Sequence, residues 1–152
     1  MEEGLTPDLR REVANAFPEQ KMQDPTSYSP LALAFLGDAV FSLAVRTIQL
    51  SFGNRQAARL HSACAAIVCA PAQAAIAEAV QDLLTEEEAG IYRRGRNASP
   101  NHMAKNSTAG EYMKATGLEA LCGWLYLRDE NRRMMEIVRT GMERTGLAEA
   151  RR

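Results

Sequence analysis

The longest apolar pattern in the chain runs from Leu31 to Val45, with Asp38 its only charged residue and Ser42 the only other residue with a polar side chain. Ser29 is a good N-cap, and Pro30 stands where a first helical residue loses nothing by lacking an N–H. The segment therefore predicts a helix that ends near Ser51-Phe52-Gly53. Because apolar residues cover every side, this helix is expected to be central and not superficial. A second stretch, Gly117 to Leu127, is apolar almost throughout with Glu119 as its only charge. It predicts a second buried helix.

The rest of the chain reads as shorter helices and turns. Thr6 is a candidate cap before Pro7 and Asp8, and Leu9, Val13 and Phe17 follow at helical spacing on an N-terminal arm; Pro18 to Tyr28 has loop composition. Asn54 is a candidate cap for a helix with Ala57, Leu60, Ala63, Cys64, Ile67 and Val68 inward, Pro71 must break or restart it, and a further piece runs from Ala72 to Leu84. Thr85-Glu86-Glu87-Glu88 has the capping-box pattern and opens a short helix through Ile91 and Tyr92. A Gly/Pro/Ser/Asn-rich loop is expected from Arg93 to Ser107. The last helix, about Asp129 to Gly141, places Met134, Met135, Ile137, Val138 and Met142 inward and Arg132, Arg133 and Arg139 outward. No segment alternates in the manner of a strand, so the class is all-α. The expected organisation is an arm over 1–28, one domain over 29–145 and a tail over 146–152.

Composition narrows this picture. A chain of 152 residues suits one well-packed core. With 18 basic and 19 acidic side chains the net charge is −1, so any nucleic-acid footprint must be local. Cys64, Cys69 and Cys122 form no C-x-x-C pair, and His61 and His102 make no metal-ligand spacing with them, which favours free thiols in a reducing cytoplasm. The acidic start Met1-Glu2-Glu3-Gly4 predicts no signal peptide, and the apolar run is short of the roughly 20 residues that span a bilayer. A cytoplasmic protein with no membrane partner is the expectation.

Asp38 and Glu119 are the chemical anomalies. A carboxylate on a buried helix must be paired, protonated or bound to a cation. If the two face each other they form a hard-oxygen site suited to Mg²⁺, which one or two carboxylates hold while leaving waters for a phosphate to displace. Alternatively, each makes a structural salt bridge to an arginine. Arg93, Arg94, Arg96 and Lys105, with His102, form a basic footprint on the loop that leads into the Glu119 helix, suited to phosphate contacts. The competing reading is a solvated loop whose arginines offset a helix dipole.

Leu33-Ala34-Phe35-Leu36-Gly37-Asp38-Ala39-Val40 resembles the signature helix of ribonuclease III catalytic domains, and Leu118-Glu119-Ala120-Leu121-Cys122-Gly123-Trp124 resembles their second acidic motif. Arg93-Arg94-Gly95-Arg96-Asn97-Ala98, Lys105-Asn106, Tyr112 and Ala115-Thr116-Gly117 resemble the compact Mini-ribonuclease III subfamily, the likeness extending from about Leu31 to Val138. The resemblance implies a helical bundle that forms a two-fold dimer through the signature helix, with Phe35 crossing the interface. It implies Asp38 and Glu119 as catalytic acids holding Mg²⁺, and hydrolysis of double-stranded RNA to 5′-phosphate ends. It further implies maturation of the ends of 23S ribosomal RNA precursor, with a ribosomal protein or pre-ribosomal particle as a further partner. Broader ribonuclease III enzymes carry two more acids, where this chain has Ala34 and Thr116. Recognition should follow A-form shape, through Arg93, Arg94, Arg96 and Lys105, with Arg46, Arg55 and Lys114 as further candidates. Two competing classes are a non-catalytic RNA-binding dimer serving as a ribosome-assembly scaffold, which would be expected to lose one acid, and a helical nucleotide phosphohydrolase. The latter lacks its usual His-Asp dipeptide here.

Overall fold

The computed structural model describes residues 8–99 and 108–149. Among these are seven α-helices and no strand: α1 (Leu9–Ala16), α2 (Pro30–Ser51), α3 (Ala57–Val68), α4 (Ala70–Ala79), α5 (Glu86–Ala98), α6 (Ala109–Leu127) and α7 (Asn131–Arg144). Short 3₁₀ turns lie at Pro25–Ser27 and Gln81–Leu83. The all-α expectation holds.

Local chemistry explains most of the boundaries. Ser29 Oγ accepts from the Ala32 N–H, with Pro30 in the first turn of α2. Both hydrogen bonds of the Thr85/Glu88 capping box form, and a second box, Thr108 with Glu111, opens α6 well before the predicted Gly117. Pro71 restarts the chain, sitting in the first turn of α4 after a 50° bend from α3. Asn54 does not cap α3, which Gln56 precedes with no side-chain bond. Asp8 caps α1, while the predicted cap Thr6 lies outside the described residues.

α6 is the axis of the bundle, buried over ten of its nineteen residues, with α2, α4 and α5 packed around it. Close approach is possible because the contacts are glycine. A Cβ on Gly37 would overlap the main chain of Glu119, and one on Gly123 would overlap the carbonyl of Leu33. α2 and α6 therefore cross backbone to backbone. On the other side of α6, a Cβ on Gly95 of α5 would press on Ala120 and Gly117. Trp124, Phe41, Leu33, Ile67, Ile76 and Leu118 fill the core between these crossings.

Three expectations need correction. α2 is only half encased: Leu33, Gly37, Phe41 and Val45 are buried, but Phe35 is 82% exposed and Leu31, Leu43 and Leu50 also face outward. An all-round apolar helix is thus a surface element of this chain. At 22 residues α2 is also long and apolar enough to cross a membrane by composition, which the Leu31–Val45 run understated; its inner face instead packs on α6 and α3. Finally, Arg133 turns inward, donating to both oxygens of the buried Glu88 at 2.9 Å and to the Leu83 carbonyl at 2.8 Å. That pair holds the Glu88 carboxyl below its usual pKa, the Arg133 hydrogen bonds outweighing burial.

α1 buries none of its residues. It is tied to the α6–α7 turn by Arg10 and Arg11, whose guanidiniums meet the Asp129 carboxylate at 2.6 and 2.9 Å. Asp129 itself adopts a positive φ of 63°.

The glycine crossing should dominate stability. Gly123→Ala is expected to cost about 3 kcal/mol or more, because the methyl meets backbone and not a yielding side chain. Urea denaturation monitored by circular dichroism measures that loss.

Candidate active site

The backbone crossing of α2 and α6 decides where the acids go. Gly37 abuts the main chain of Glu119, so Asp38, the next residue, is carried to the same level. The Asp38 carboxyl lies beside that of Glu119 and repels its charge. The two acids are not equally buried, however: Asp38 is exposed and Glu119 half-buried. Asp38 therefore does not stand in a dry interior, as an all-round apolar helix suggested. It stands at a rim where Glu119 forms the inner wall. No salt bridge engages either acid among the described residues, and the arginine-paired alternative finds no support in the geometry.

Glu119 has one further partner that sequence reasoning missed. Gln73, on α4 and 2% exposed, donates through Nε2 to Glu119 Oε2 at 3.3 Å and to the Val68 carbonyl at 2.8 Å. A polar residue among the inward alanines and Ile76 of α4 was the available signal.

Burial, then repulsion from Asp38, push the Glu119 carboxyl up from an ordinary 4.5 to about 8; the Gln73 bond opposes that rise. Such a pair of oxygens is poorly satisfied by protons and water alone. It suits a hard divalent cation, whose charge would favour both carboxylates at once. Among the described residues no group of three or more His, Cys, Asp or Glu side chains is arranged to hold a metal, so Asp38 and Glu119 would be the protein's anionic ligands. Ala34 and Thr116, which stand where broader relatives have acids, add none. Ala34 is buried, and the Thr116 hydroxyl donates to Tyr112 O at 3.0 Å.

The basic footprint is divided. Arg93, Arg94 and Arg96 lie on α5, which continues to Ala98, and not on a loop as expected. Thr85 starts the helix with a full capping box, and Gly95, tolerated because it packs on Gly117 and Ala120, does not end it. Arg94 reaches back to the Thr26 carbonyl at 3.4 Å, whereas Arg96 stands over the Tyr92 ring, 5.8 Å from its centroid. Arg93 is exposed and shares a helix face with Arg96 at a three-residue spacing. Lys105 and His102 lie outside the described residues. Of the further candidates, Arg46 is exposed, Arg55 turns to Gln49 at 2.9 Å, and Lys114 pairs with Glu78.

The raised carboxyl has a consequence for stability in the metal-free protein. Unfolding releases the Glu119 proton above pH 4.5, whereas the folded chain holds it to about 8. The group's contribution is therefore fully present below 4.5 and is lost as pH rises through 8. With EDTA, Glu119→Gln should be more stable than wild type at pH 8, by about 1 kcal/mol or more, and the difference should shrink toward pH 5. Urea titrations at the two pH values measure it.

The Ribonuclease III domain family matches residues 31–130, which include both acids and all three described arginines of α5. The chain is 44% identical to a Mini-ribonuclease 3 of Thermoanaerobacter sp. (strain X514), over 77% of this chain and 82% of that protein. It is 42% identical to the Mini-ribonuclease 3 of Brevibacillus brevis, over 79% and 90% of the two. A crystal structure of a Fusobacterium nucleatum protein superposes with a TM-score of 0.72 at 32% identity, covering 82% of this chain and 99% of that one. Two acids brought together by a glycine crossing, within a helical domain shared over this length, place the chain in the ribonuclease III family of double-stranded-RNA endoribonucleases, among the Mini-ribonuclease 3 proteins.

Proposed function

We propose that this endoribonuclease works as a two-fold dimer with Mg²⁺ held by Asp38 and Glu119, and that it matures the 5′ and 3′ ends of 23S ribosomal RNA precursor in the cytoplasm. The observation that carries the metal site is the juxtaposition of the Asp38 and Glu119 carboxyls at an accessible rim. When bound, Mg²⁺ supplies Lewis acidity at a phosphoryl oxygen and activates water for in-line displacement of the 3′-oxygen. The chain's own contribution is positional. Glu119 is held from below by Gln73, Asp38 is held by the backbone crossing, and the rim is open to a duplex too wide for a closed pocket.

The exposed face of α2 supports the dimer. Phe35, Leu31 and Leu43 would be costly to leave in water, and Leu9 and Val13 of α1, with Phe17 at its C-cap, add a second apolar stripe. Burying α2 against its copy places two acid pairs in one assembly, one for each RNA strand. The ribosomal substrate, and a ribosomal protein or pre-ribosomal particle as partner, rest on the family resemblance. Retention of both acids favours the nuclease over a scaffold.

The assay is cleavage of an end-labelled RNA duplex. Wild type with Mg²⁺ is expected to leave 5′-phosphate ends, and EDTA to abolish cutting. Asp38→Asn and Glu119→Gln, purified as folded dimers, should each lose more than about a hundredfold in rate. No cutting by wild type, with RNA binding retained, would favour the scaffold.

Recognition is tested separately. Because Arg93 and Arg96 share a face of α5, the double alanine variant should weaken duplex binding and flatten the log–log salt slope by roughly two. Arg94→Ala should change the slope less, since that side chain reaches Thr26. Filter binding across a salt series distinguishes the three arginines.

A further inference from the structure

Gln73 is out of place in the core. α4 presents Ala74, Ile76 and Ala77 to the interior, and Gln73 beside them is almost completely buried. Its amide is also incompletely satisfied: both Nε2 hydrogens are engaged, by Val68 O and Glu119 Oε2, while Oε1 is buried with no hydrogen-bond partner. Reversing the amide would not repair this, because Oε1 would then face the Val68 carbonyl, acceptor against acceptor. A hydrophobic residue of similar length would leave no stranded oxygen. A buried polar group retained with one atom unsatisfied calls for a role that the other atom performs.

Two roles are available to that nitrogen. One is structural: the Val68 carbonyl ends α3 at the 50° bend into α4, and Gln73 covers it. The second concerns the acid. Donation to Glu119 Oε2 engages one oxygen of a carboxyl that also interacts with Asp38. In a site with only two acids, neither Ala34 nor Thr116 can orient Glu119. Gln73 reaches it from α4 with an N–H donor, which Asp38 in carboxylate form does not supply.

We infer that Gln73 is a positioning residue of the metal site, holding the Glu119 carboxylate by one oxygen so that the other, with Asp38, is presented to the divalent cation. The inference rests on the two-acid metal reading above. Gln73 itself touches neither cation nor RNA. Its removal should therefore weaken metal binding without changing the affinity for duplex.

The experiment uses the full chain and Mn²⁺ as the probe, with free Mn²⁺ read by electron paramagnetic resonance in the absence of RNA. The variants are Gln73→Met, which keeps length and helix propensity but removes both N–H groups, and Asp38→Asn. Each is first checked for helicity, melting and oligomeric state. Gln73→Met is expected to bind Mn²⁺ about tenfold to a hundredfold more weakly, the range typical of residues that orient a ligand. Its cleavage rate should recover as metal is raised, with KM for duplex unchanged. If Gln73→Met folds and binds Mn²⁺ as wild type does while Asp38→Asn binds weakly, the inference is overturned and the metal reading stands. If neither variant alters Mn²⁺ binding, the two-acid reading fails and the inference with it. Should Gln73→Met not fold, the side-chain amide resonances of Gln73 decide in the wild-type protein. A shift on adding Mg²⁺ that is absent in Asp38→Asn supports the inference, and no shift in wild type overturns it.

Discussion

Two helices of this chain touch through their backbones, and the site depends on that contact. Gly37 and Gly123 let α2 and α6 approach until no Cβ fits between them. At ordinary helix separations of 8–10 Å, side chains would stand between the main chains and hold the acids apart. Here the residue after Gly37 is Asp38, and the backbone that Gly37 meets is that of Glu119. Close packing and the placement of the two acids are one constraint. The same device recurs at Gly95 over Gly117 and Ala120, which brings α5 and its arginines to the turn of α6 that carries Glu119.

This arrangement opposes stability locally. Half-burying one carboxylate beside another disfavours its charge, and the orphaned oxygen of Gln73 adds a further unfavourable group. The surrounding structure compensates with ordinary means: a core from Leu33 to Met142, two complete capping boxes, and the Glu88–Arg133 pair joining α5 to α7. Strain of this kind is characteristic of sites built to receive a counter-charge. The polar cluster and the apolar core are thus complementary parts of one design, with the core supplying the rigidity that the acids oppose.

Apolar surface is distributed unequally. One face of α2 is buried against α6, whereas the opposite face carries Phe35, Leu31 and Leu43 into solvent. α1 lies near it, held through Arg10, Arg11 and Asp129 and not by burial. A helix that is apolar all round in a chain of this size has too little protein to cover it. The pattern that suggested a central helix is met on one face of α2 only, and the other face is apolar surface of this chain.

The helical class, the caps at Ser29 and Thr85, the restart at Pro71 and the standing of Asp38 and Glu119 as unusual acids were all legible in the sequence, because each depends on local chemistry or on a charge inside an apolar run. The extension of α5 through Arg93, Arg94 and Arg96 was not, since Gly95 reads as a helix end until its packing against α6 is known. Arg133 looked outward by spacing, yet Glu88, 45 residues away, turns it in. Gln73 gave only the weak signal of a polar residue among alanines. What tertiary structure alone decided was distance across the bundle: which acid faces which, which arginine turns inward, and which amide meets Glu119. Periodicity specifies the face of a helix, but only the backbone approach permitted by glycine specifies what that face meets.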